Sequence, residues 1–351
     1  MASSAVGARG TMLCRSSLAL AALSIATASI VAVSLAGDLA RAQNPAIPPP
    51  PSQSPQQPPG ENEPVAVFRA GTALVDLPVS VLDNKGKLVP DIPESAFKVY
   101  ENDIEQPIKS FRRDDVPVSI GIIIDNSGSM RDKRARVAAA ALALVTNSNP
   151  QDEEFIVDFN DDAYLDQPLT NDLAKLKTTL GRLNARGGTA MRDAINMSID
   201  YMNQAATRPK KVLLVVTDGN DNASNIGLAP LVRKAQASEI LIYCIGLLSQ
   251  EEPADAKSAR KALKELADAS GGQDYYPKDL AEVEKITPEV AHEIRNQYLL
   301  AYSPINASLD GTYRQIKVKV VGYEKATVRT RSGYYAAAAA GSQPTGASSF
   351  K

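Results

Sequence analysis

The sequence has few of the residues on which catalytic and cross-linking chemistry most often depends. Its 351 residues include 1 His and 2 Cys. Cys14 lies in an N-terminal segment that we predict is removed on export, so the mature chain has no pair for an intrachain disulfide. Cys244 lies in an apolar strand pattern, where a small buried core residue is expected instead of a reactive thiol.

Common catalytic motifs are also missing. The sequence contains no Gly-x-Ser-x-Gly nucleophile motif, no phosphate-binding Gly-Lys loop and no cluster of zinc ligands. His292 falls in a predicted helix, away from any Ser or Cys in a nucleophile context, and a structural role is expected for it. The formal net charge of −2 argues against a nucleic-acid-binding protein, which normally carries a basic surplus. We therefore expect a protein that is not an enzyme and binds no nucleic acid.

The N-terminus has the pattern of an export signal. Two arginines precede an apolar run over residues 18–36, and Ala40-Arg41-Ala42 has the small-x-small form of a signal-peptidase site. We predict a signal peptide over residues 1–42 and an exported protein that is secreted, periplasmic or at the cell surface. The apolar run approaches the ~20 residues that span a bilayer, so the alternative is an uncleaved N-terminal membrane anchor.

Composition divides the remaining chain into five parts. Residues 43–64 are rich in proline, which predicts a stiff, solvated linker. Residues 65–115 and 298–335 have the period-two pattern of strands, whereas residues 116–297 alternate apolar strands with amphipathic helices. Residues 336–351 have the composition of a disordered tail. Each β segment is too small to be stable alone, and we predict that the two pair into a small β unit around an inserted α/β domain.

The α/β domain carries the most informative pattern. Alternating strands and helices are typical of a Rossmann-like, doubly wound, mainly parallel sheet. Residues 118–124 are almost all apolar and largely β-branched, which predicts a strand that is covered on both faces. The residues that follow such a strand lie at its carboxyl end, where open α/β sheets place their ligands.

Three short polar motifs occupy the boundaries of these elements. The first, Asp125-Asn126-Ser127-Gly128-Ser129, follows the buried strand, and Thr217-Asp218-Gly219 follows a second one. Between them, Gly187-Gly188-Thr189 precedes a predicted helix. Each motif alone has a simpler interpretation as a helix N-cap or a turn. Together they supply the carboxylate and hydroxyl oxygens that Mg²⁺ prefers, which favours a metal site.

In this order and at these boundaries, the three motifs resemble the metal-ion-dependent adhesion site of the von Willebrand factor type A domain. The resemblance implies that Ser127 and Ser129 coordinate the metal directly. It places Asp125 and Asp218 near the metal, partly through water, and Thr189 joins when a ligand binds. The implied ion is Mg²⁺, with Mn²⁺ or Ca²⁺ as alternatives, and the implied ligand is a partner protein that presents an Asp or Glu.

The flanking β segments carry a second resemblance. Three stretches carry it: Phe97–Asn102, Tyr298–Tyr302 and Arg329–Tyr334. With them, residues 65–129 and 298–335 look like the von Willebrand-related proteins that are abundant in Acidobacteria, which implies architecture more than function.

Further residues beside the motifs are candidates for a partner-binding rim. Arg131 and Arg186 are placed to steer an acidic partner, and Asn220 and Asp221 continue the Thr-Asp-Gly loop. Solvated surface positions are the simpler alternative for each of them. Asp125 is expected at a solvent-facing strand end, so that Asp125→Ala should leave the fold intact. Other basic residues near the motifs that could steer the same partner are Lys133, Arg134, Arg136 and Arg192.

These patterns predict an exported, metal-dependent protein-binding or adhesion module. An aspartate-dependent phosphatase would need a second Asp at the position of Ser127. The remaining alternatives are a cell-envelope scaffold in which the metal only orders loops, and a non-catalytic accessory subunit of an ATP-driven assembly. Loss of binding on chelation separates the first of these from an adhesion module.

Overall fold

The structure, a computed structural model, describes residues 74–113, 115–146, 148–182 and 185–336. Within these ranges the strands form one sheet of 6 strands and two of 4. In the same ranges no helix has the length and apolar character needed to cross a membrane. The predicted signal peptide, the proline-rich linker and residues 337–351 of the predicted tail lie outside the described residues.

Strands dominate both ends of the described chain, and helices alternate with strands between them. The strands are β1 (Val75–Leu82), β2 (Phe97–Glu101), β3 (Ile104–Gln106), β4 (Ile108–Arg112), β5 (Val118–Asp125), β6 (Glu153–Phe159), β7 (Ala163–Thr170), β8 (Lys210–Thr217), β9 (Leu241–Gly246), β10 (Asp274–Tyr275), β11 (Tyr298–Tyr302), β12 (Tyr313–Val320), β13 (Thr327–Arg329) and β14 (Gly333–Tyr335). The helices are α1 (Arg134–Thr146), α2 (Leu173–Leu180), α3 (Met191–Ala205), α4 (Leu228–Ser238), α5 (Pro253–Ser270) and α6 (Leu280–Arg295).

The central sheet has the strand order β10-β9-β8-β5-β6-β7 and is parallel except at β7. Every residue of β5 is buried, because helices cover both faces of the sheet. The predicted Rossmann-like fold class is confirmed. Ile124 of β5 lies opposite Val216 of β8, so the loops that follow these two strands emerge side by side at one edge.

Two apolar clusters hold the helices on this sheet. One face packs against α1, α2 and α6, and the other against α3, α4 and α5. Each fully buried aliphatic side chain contributes about 1.5–3 kcal/mol to stability relative to an exposed one. Gly121 interrupts the apolar run of β5 because a Cβ there would lie 2.3 Å from the ring of Phe155. The bulk of Phe155 therefore takes the place of a side chain on β5.

The edge strand β7 is absent from the sequence-based prediction. It pairs antiparallel with β6, and most of its residues are exposed or half-buried. It includes Pro168, which a sheet edge tolerates because the missing N–H group can lie on the side that has no neighbouring strand. A strand held mainly by pairing with its neighbour leaves little hydrophobic pattern to detect.

The two flanking segments pair with each other, as predicted, and the β unit that they form is a β-sandwich. One sheet has the order β13-β1-β11-β4 and the other β14-β12-β2-β3, so each combines strands from both sides of the α/β domain. Leu77 lies opposite Leu300 in the first sheet, and Val99 lies opposite Val318 in the second. These four side chains belong to one apolar core between the sheets. The α/β domain is thus inserted between the two halves of the sandwich.

The sandwich extends to Ala336, the first residue of the predicted disordered tail. Its N–H group donates to the carbonyl of Thr312, and its carbonyl accepts from the N–H of Gly311. The side chain is 2% exposed. Ala336 is therefore ordered, because backbone hydrogen bonds to Gly311 and Thr312 continue beyond the end of β14.

A buried carboxylate joins the sandwich to the α/β domain. Glu293 of α6, 5% exposed, accepts hydrogen bonds from Ser80 of β1 and from Tyr243 of β9. Tyr275 of β10 donates to the other carboxylate oxygen at 3.3 Å. Arg329 of β13 lies 3.6 Å away. Separating a buried charge from these partners would cost free energy, because it would leave the charge uncompensated. The network therefore favours one relative placement of the sandwich and the α/β domain.

Candidate metal centre

Asp125 ends β5 and is held through both carboxylate oxygens. Its Oδ1 accepts the N–H of Ser127 at 2.9 Å, and its Oδ2 accepts the hydroxyl of Thr217 at 2.6 Å. Burial raises the pKa of Asp125 to about 6, although the bonds from Ser127 and Thr217 oppose the rise and the nearby Asp218 carboxylate adds to it. The side chain is 0% exposed. The expectation of a solvent-facing position was therefore wrong, and Asp125→Ala would leave two buried donors without an acceptor.

The serine hydroxyls of the first motif lie beside this carboxylate. The Oγ atoms of Ser127 and Ser129 are 3.1 Å apart, and Ser129 donates to Oδ1 of Asp218 at 2.8 Å. Ser127 is buried, whereas Ser129 is exposed. The parallel pairing of β5 and β8 explains this contact across 89 residues of sequence, because it brings the two loops together.

Asp218 carries the second carboxylate of the centre and is also 0% exposed. Its Oδ1 faces Ser129, and its Oδ2 accepts a hydrogen bond of 2.7 Å from the ammonium group of Lys133. Lys133 lies at the start of α1, and its side chain is 11% exposed. The two oxygens of Asp218 are therefore divided between the hydroxyl cluster and a buried cation.

The third motif lies against the first and second loops. The N–H of Gly128 donates to the carbonyl of Gly187 at 3.1 Å. The N–H of Thr189 donates to Oδ1 of Asn222 at 2.9 Å, and the carbonyl of Thr189 accepts from the N–H groups of Asn222 and Ala223. The Thr189 hydroxyl lies 4.0 Å from the position that a Cβ on Gly219 would take. Backbone bonds thus bring Thr189 to the edge of the same cluster.

The rim residues have different surroundings. Arg131 and Arg186 are exposed, and the N–H of Arg186 donates to the carbonyl of Asn126 at 2.8 Å. Asn126 belongs to the loop of the first motif, residues 125–129, which is called the metal loop below. The amide of Asn220 donates to Asp255 at 3.4 Å. Asp221 was expected at the rim, but its side chain is 6% exposed.

Internal contacts account for Asp221. Its carboxylate accepts from the guanidinium and N–H of Arg192 and from the hydroxyl of Ser224. It therefore holds the start of α3 and is not available to a partner. Lys133 and Arg192, both named as steering residues, are likewise engaged by Asp218 and Asp221.

Sequence analysis did not indicate the surroundings of three residues at or near the centre. The hydroxyl of Thr217 fixes Asp125, although its position in the Thr-Asp-Gly motif was the available signal. The salt bridge of Lys133 depends on the neighbouring strand and has no local signature. Glu251 follows β9, and burial raises its pKa, with a further rise from Asp218 and an opposing effect from Lys133. Its sequence position gives no indication of this electrostatic contact.

The donor set suits a hard divalent cation. Asp125, Asp218 and the hydroxyls of Ser127, Ser129 and Thr189 offer oxygen alone, which is the ligand type of Mg²⁺. Among the described residues, no group of three or more His, Cys, Asp or Glu side chains is placed to hold a metal. Two carboxylates with three hydroxyls fall below that count, and such a centre would retain water ligands.

A cavity of about 450 Å³ adjoins the metal loop. Asn126 lines it and donates from its amide to Asp158 at 2.6 Å, while Arg182 and Arg186 lie in its wall. Asp166 also lines the cavity, and burial together with the adjacent Asp158 carboxylate raises its pKa to about 7. The surface beside the centre therefore offers charges of both signs.

Similar solved structures include several bacterial proteins. A von Willebrand factor type A protein from Catenulispora acidiphila is 17% identical, covers 76% of this chain and 75% of its own, and superposes with a TM-score of 0.46. The PilB minor pilin from Streptococcus sanguinis is 13% identical over 54% of this chain and 63% of its own, with a TM-score of 0.43. The vWF domain of the type V pili tip protein Mfa5 from Porphyromonas gingivalis is 13% identical, covers 51% and 95%, and has a TM-score of 0.42.

Sequence comparison finds one protein that matches over a short stretch and one domain family that matches part of the chain. Inter-alpha-trypsin inhibitor heavy chain H4 of Sus scrofa is 22% identical over 144 residues, which is 37% of this chain and 16% of that protein. Residues 120–220 match the sequence model of the von Willebrand factor type A domain. This stretch runs from β5 through the loop after β8 and contains all three motifs. Residues 120–220 of the α/β part are therefore similar to a von Willebrand factor type A domain.

Proposed function

We propose that this protein is an exported, divalent-metal-dependent protein-binding module that engages an acidic side chain of its partner and has no catalytic activity. The observation that carries the proposal is the oxygen-only cluster of Ser127, Ser129 and Asp218 at one edge of the sheet. The hydroxyls of Ser127 and Ser129 lie 3.1 Å apart, and Ser129 donates to Asp218 at 2.8 Å. Export is proposed from the N-terminal pattern of residues 1–42.

The roles of the carboxylates differ. Asp125 is committed to Ser127 and Thr217 through both oxygens, so it supplies negative charge and holds the loop. Asp218 presents Oδ1 on the side of the serine hydroxyls. A bound Mg²⁺ would supply an electrophilic centre with an open position for an anionic oxygen. With few carboxylates beside it, the centre favours a carboxylate from a partner.

The exposed rim supports an acidic partner. The guanidinium groups of Arg131 and Arg186 raise the local positive potential, which speeds encounter with an acidic surface more than it strengthens the final complex. Arg186 is tied to the metal loop by its backbone, so it lies close to the point where the partner carboxylate would bind.

The surroundings of the nucleophilic side chains favour binding over catalysis. Cys244 is 0% exposed, and burial raises the pKa of its thiol. The ring of His292 contacts the amide of Asn296 on the surface of α6, 3.1 Å away. Neither residue lies at the candidate centre, and Ser127 occupies the position where a phosphatase of the aspartate class needs an acid.

The test is calorimetric titration of metal-free protein with Mg²⁺ and Mn²⁺, followed by an Asp-containing tripeptide as a probe of the open position. Ser129→Ala and Asp125→Asn should weaken metal binding at least tenfold. Asn keeps hydrogen-bonding groups for Ser127 and Thr217, so this variant should fold. Ser95→Ala, at an exposed serine of the sandwich, is the matched control.

Two outcomes contradict the proposal. Metal binding that survives Ser129→Ala and Asp125→Asn unchanged would place the ion elsewhere. Metal binding without chelator-sensitive binding of the tripeptide would favour the scaffold alternative, in which the ion only orders the loops.

A further inference from the structure

We propose that Lys133 is a built-in counter-cation of the metal centre, which weakens the hold on the metal and strengthens the binding of a partner carboxylate. The inference rests on the proposed function and specifies how the centre is tuned. It assigns to Lys133 a role in ligand preference that is distinct from steering at the surface.

The geometry places this cation inside the centre. The Nζ of Lys133 is 2.7 Å from Oδ2 of Asp218, and the lysine residue is 9% exposed. Asp218 uses its other oxygen for Ser129 at 2.8 Å. One carboxylate therefore connects the ammonium group to the hydroxyls that would face the metal.

The ion pair with Asp218, and not a helix terminus, fixes the ammonium group of Lys133. Lys133 immediately precedes α1, and the N–H groups of Arg136 and Val137 donate to its carbonyl. It also ends the 3₁₀ helix Gly128–Asp132, so the positive end of the α1 dipole and the negative end of the 3₁₀ helix meet at this residue and oppose each other. Burial of an ammonium group is costly without a partner, and the salt bridge to Asp218 offsets this cost, which links the placement of Lys133 to the metal centre.

The charges at the centre give the direction of the effect. Asp125 and Asp218 together neutralise a divalent cation in formal charge, but Lys133 neutralises one of them. The loaded centre then keeps a net positive charge. A positive centre in a poorly hydrated site attracts an anionic oxygen more strongly and holds its own cation less strongly.

Lys133→Met tests the role because methionine keeps most of the side-chain length without the charge. The Mg²⁺ dissociation constant should fall about tenfold, while the Mg²⁺-loaded protein should bind acetate or an Asp-containing tripeptide about tenfold more weakly. Mg²⁺ is measured by calorimetry, and the anions by NMR titration of the Mg²⁺-saturated protein expressed from the full chain. Opposite changes in the two affinities distinguish charge tuning from a merely structural role, which would weaken both.

Two further variants and one further measurement complete the test. Lys317→Met removes the same charge from an exposed lysine of β12 in the sandwich and should change neither affinity by more than about twofold. Lys133→Arg keeps the charge and should retain the wild-type order of affinities. In chelator, Lys133→Met should lower the melting temperature, and added Mg²⁺ should raise it by more than in the wild type.

The outcomes separate this inference from the proposed function. If the wild type binds Mg²⁺ and Lys133→Met binds it equally or more weakly, the inference alone is overturned. If the wild type and Lys133→Met both fail to bind Mg²⁺, the proposed function and the inference fall together. If only Lys133→Met binds Mg²⁺, Lys133 opposes the metal, but the wild type forms no loaded centre, so the proposed function and the claim on the partner carboxylate are both overturned.

Discussion

The hydroxyl of Thr217 donates a hydrogen bond of 2.6 Å to Oδ2 of Asp125. It connects the last residue of β8 to the last residue of β5, and both side chains are 0% exposed. The first carboxylate of the candidate centre is thus positioned by the neighbouring strand and not by its own loop alone. The Thr-Asp-Gly motif consequently contributes two functions, a positioning hydroxyl and the second carboxylate.

Thr217→Val tests this positioning with a nearly isosteric change. The variant leaves a buried carboxylate oxygen without its donor, which should lower the free energy of unfolding by about 1–3 kcal/mol. It should also weaken Mg²⁺ binding, because Asp125 loses its fixed orientation. Urea unfolding and calorimetric titration measure the two effects.

The matched control is Thr178→Val, at an exposed threonine of α2. Its unfolding free energy should change by less than about 0.5 kcal/mol, as for most surface substitutions. Equal losses in the two variants would show that the bond from Thr217 to Asp125 contributes little.

Thr189→Ala should separate ligand binding from metal binding. The backbone bonds of Thr189 to Asn222 and Ala223 remain in the variant, so the loop should keep its position. Because Mg²⁺ readily retains water in place of a hydroxyl, its affinity should change by no more than about threefold. Binding of an Asp-containing tripeptide should weaken about tenfold, the equivalent of one hydrogen bond to a charged group. Calorimetric titration with Mg²⁺ and with the tripeptide measures the two affinities. Equal losses of both affinities would contradict a role for Thr189 in ligand binding.

The parts of the fold that are buried on two faces were predictable from the sequence. The apolar runs of β5, β8 and β9 predict strands because helices cover both sides of them. Pairing of the flanking segments followed from their size, since neither buries enough apolar surface alone. The edge strand β7 was not predictable in this way, because pairing with β6 and not burial holds it in place.

The candidate centre was likewise predictable only in part. Motif order indicated which oxygens share one edge of the sheet, but their protein partners come from distant positions. Asp221 was assigned to the rim because it follows the Thr-Asp-Gly motif, yet Arg192, 29 residues earlier, binds it. Lys133 was assigned to the surface because it lies among other basic residues, yet Asp218, 85 residues later, binds it. Local composition carries no information on such pairs.

Arg314→Met should destabilise the sandwich severely. Arg314 is 1% exposed and donates to Glu101 at 3.1 Å and to the carbonyl of Ser308 at 2.6 Å. Tyr302 and Tyr334 donate to the other oxygen of Glu101. Removing the cation leaves the carboxylate of Glu101 buried without its ion pair. We therefore expect a loss of about 3–5 kcal/mol in the free energy of unfolding.

Two further variants test whether the loss arises from the uncompensated charge of Glu101. The double variant Arg314→Met with Glu101→Gln should recover part of the loss, because no uncompensated charge remains in the core. Arg113→Met, at an ion pair with the exposed Asp91, should cost less than about 1 kcal/mol. Denaturant unfolding of all three variants gives the comparison, and a double variant less stable than Arg314→Met would contradict the buried-charge account.

The adjacent carboxylates of β6 should give stability opposite dependences on pH. Burial raises the pKa of Glu154 from 4.5 to about 7, and repulsion by Asp152 adds to the rise, while Ser148 and Arg295 oppose it. Because the pKa of Glu154 is higher in the folded state than in the unfolded state, its contribution to the free energy of unfolding is fully present below about pH 4.5. That contribution is lost as pH rises through about 7. Glu154→Gln should therefore stabilise the protein at pH 8, by at most about 3 kcal/mol, and leave stability at pH 4 nearly unchanged.

Glu153 supplies the matched control one residue away. Burial acts to raise its pKa, but hydrogen bonds from Ser119 and Thr207 together with Arg208 lower it overall. Because the pKa of Glu153 is lower in the folded state, the group stabilises the protein at pH values above its unfolded-state pKa. This stabilisation is lost as pH falls through the folded-state pKa. Glu153→Gln should thus destabilise at neutral pH, where Glu154→Gln stabilises. Urea unfolding between pH 4 and pH 8 measures both slopes, and the same sign for both variants at pH 8 would show that burial at β6 does not set these ionisation states.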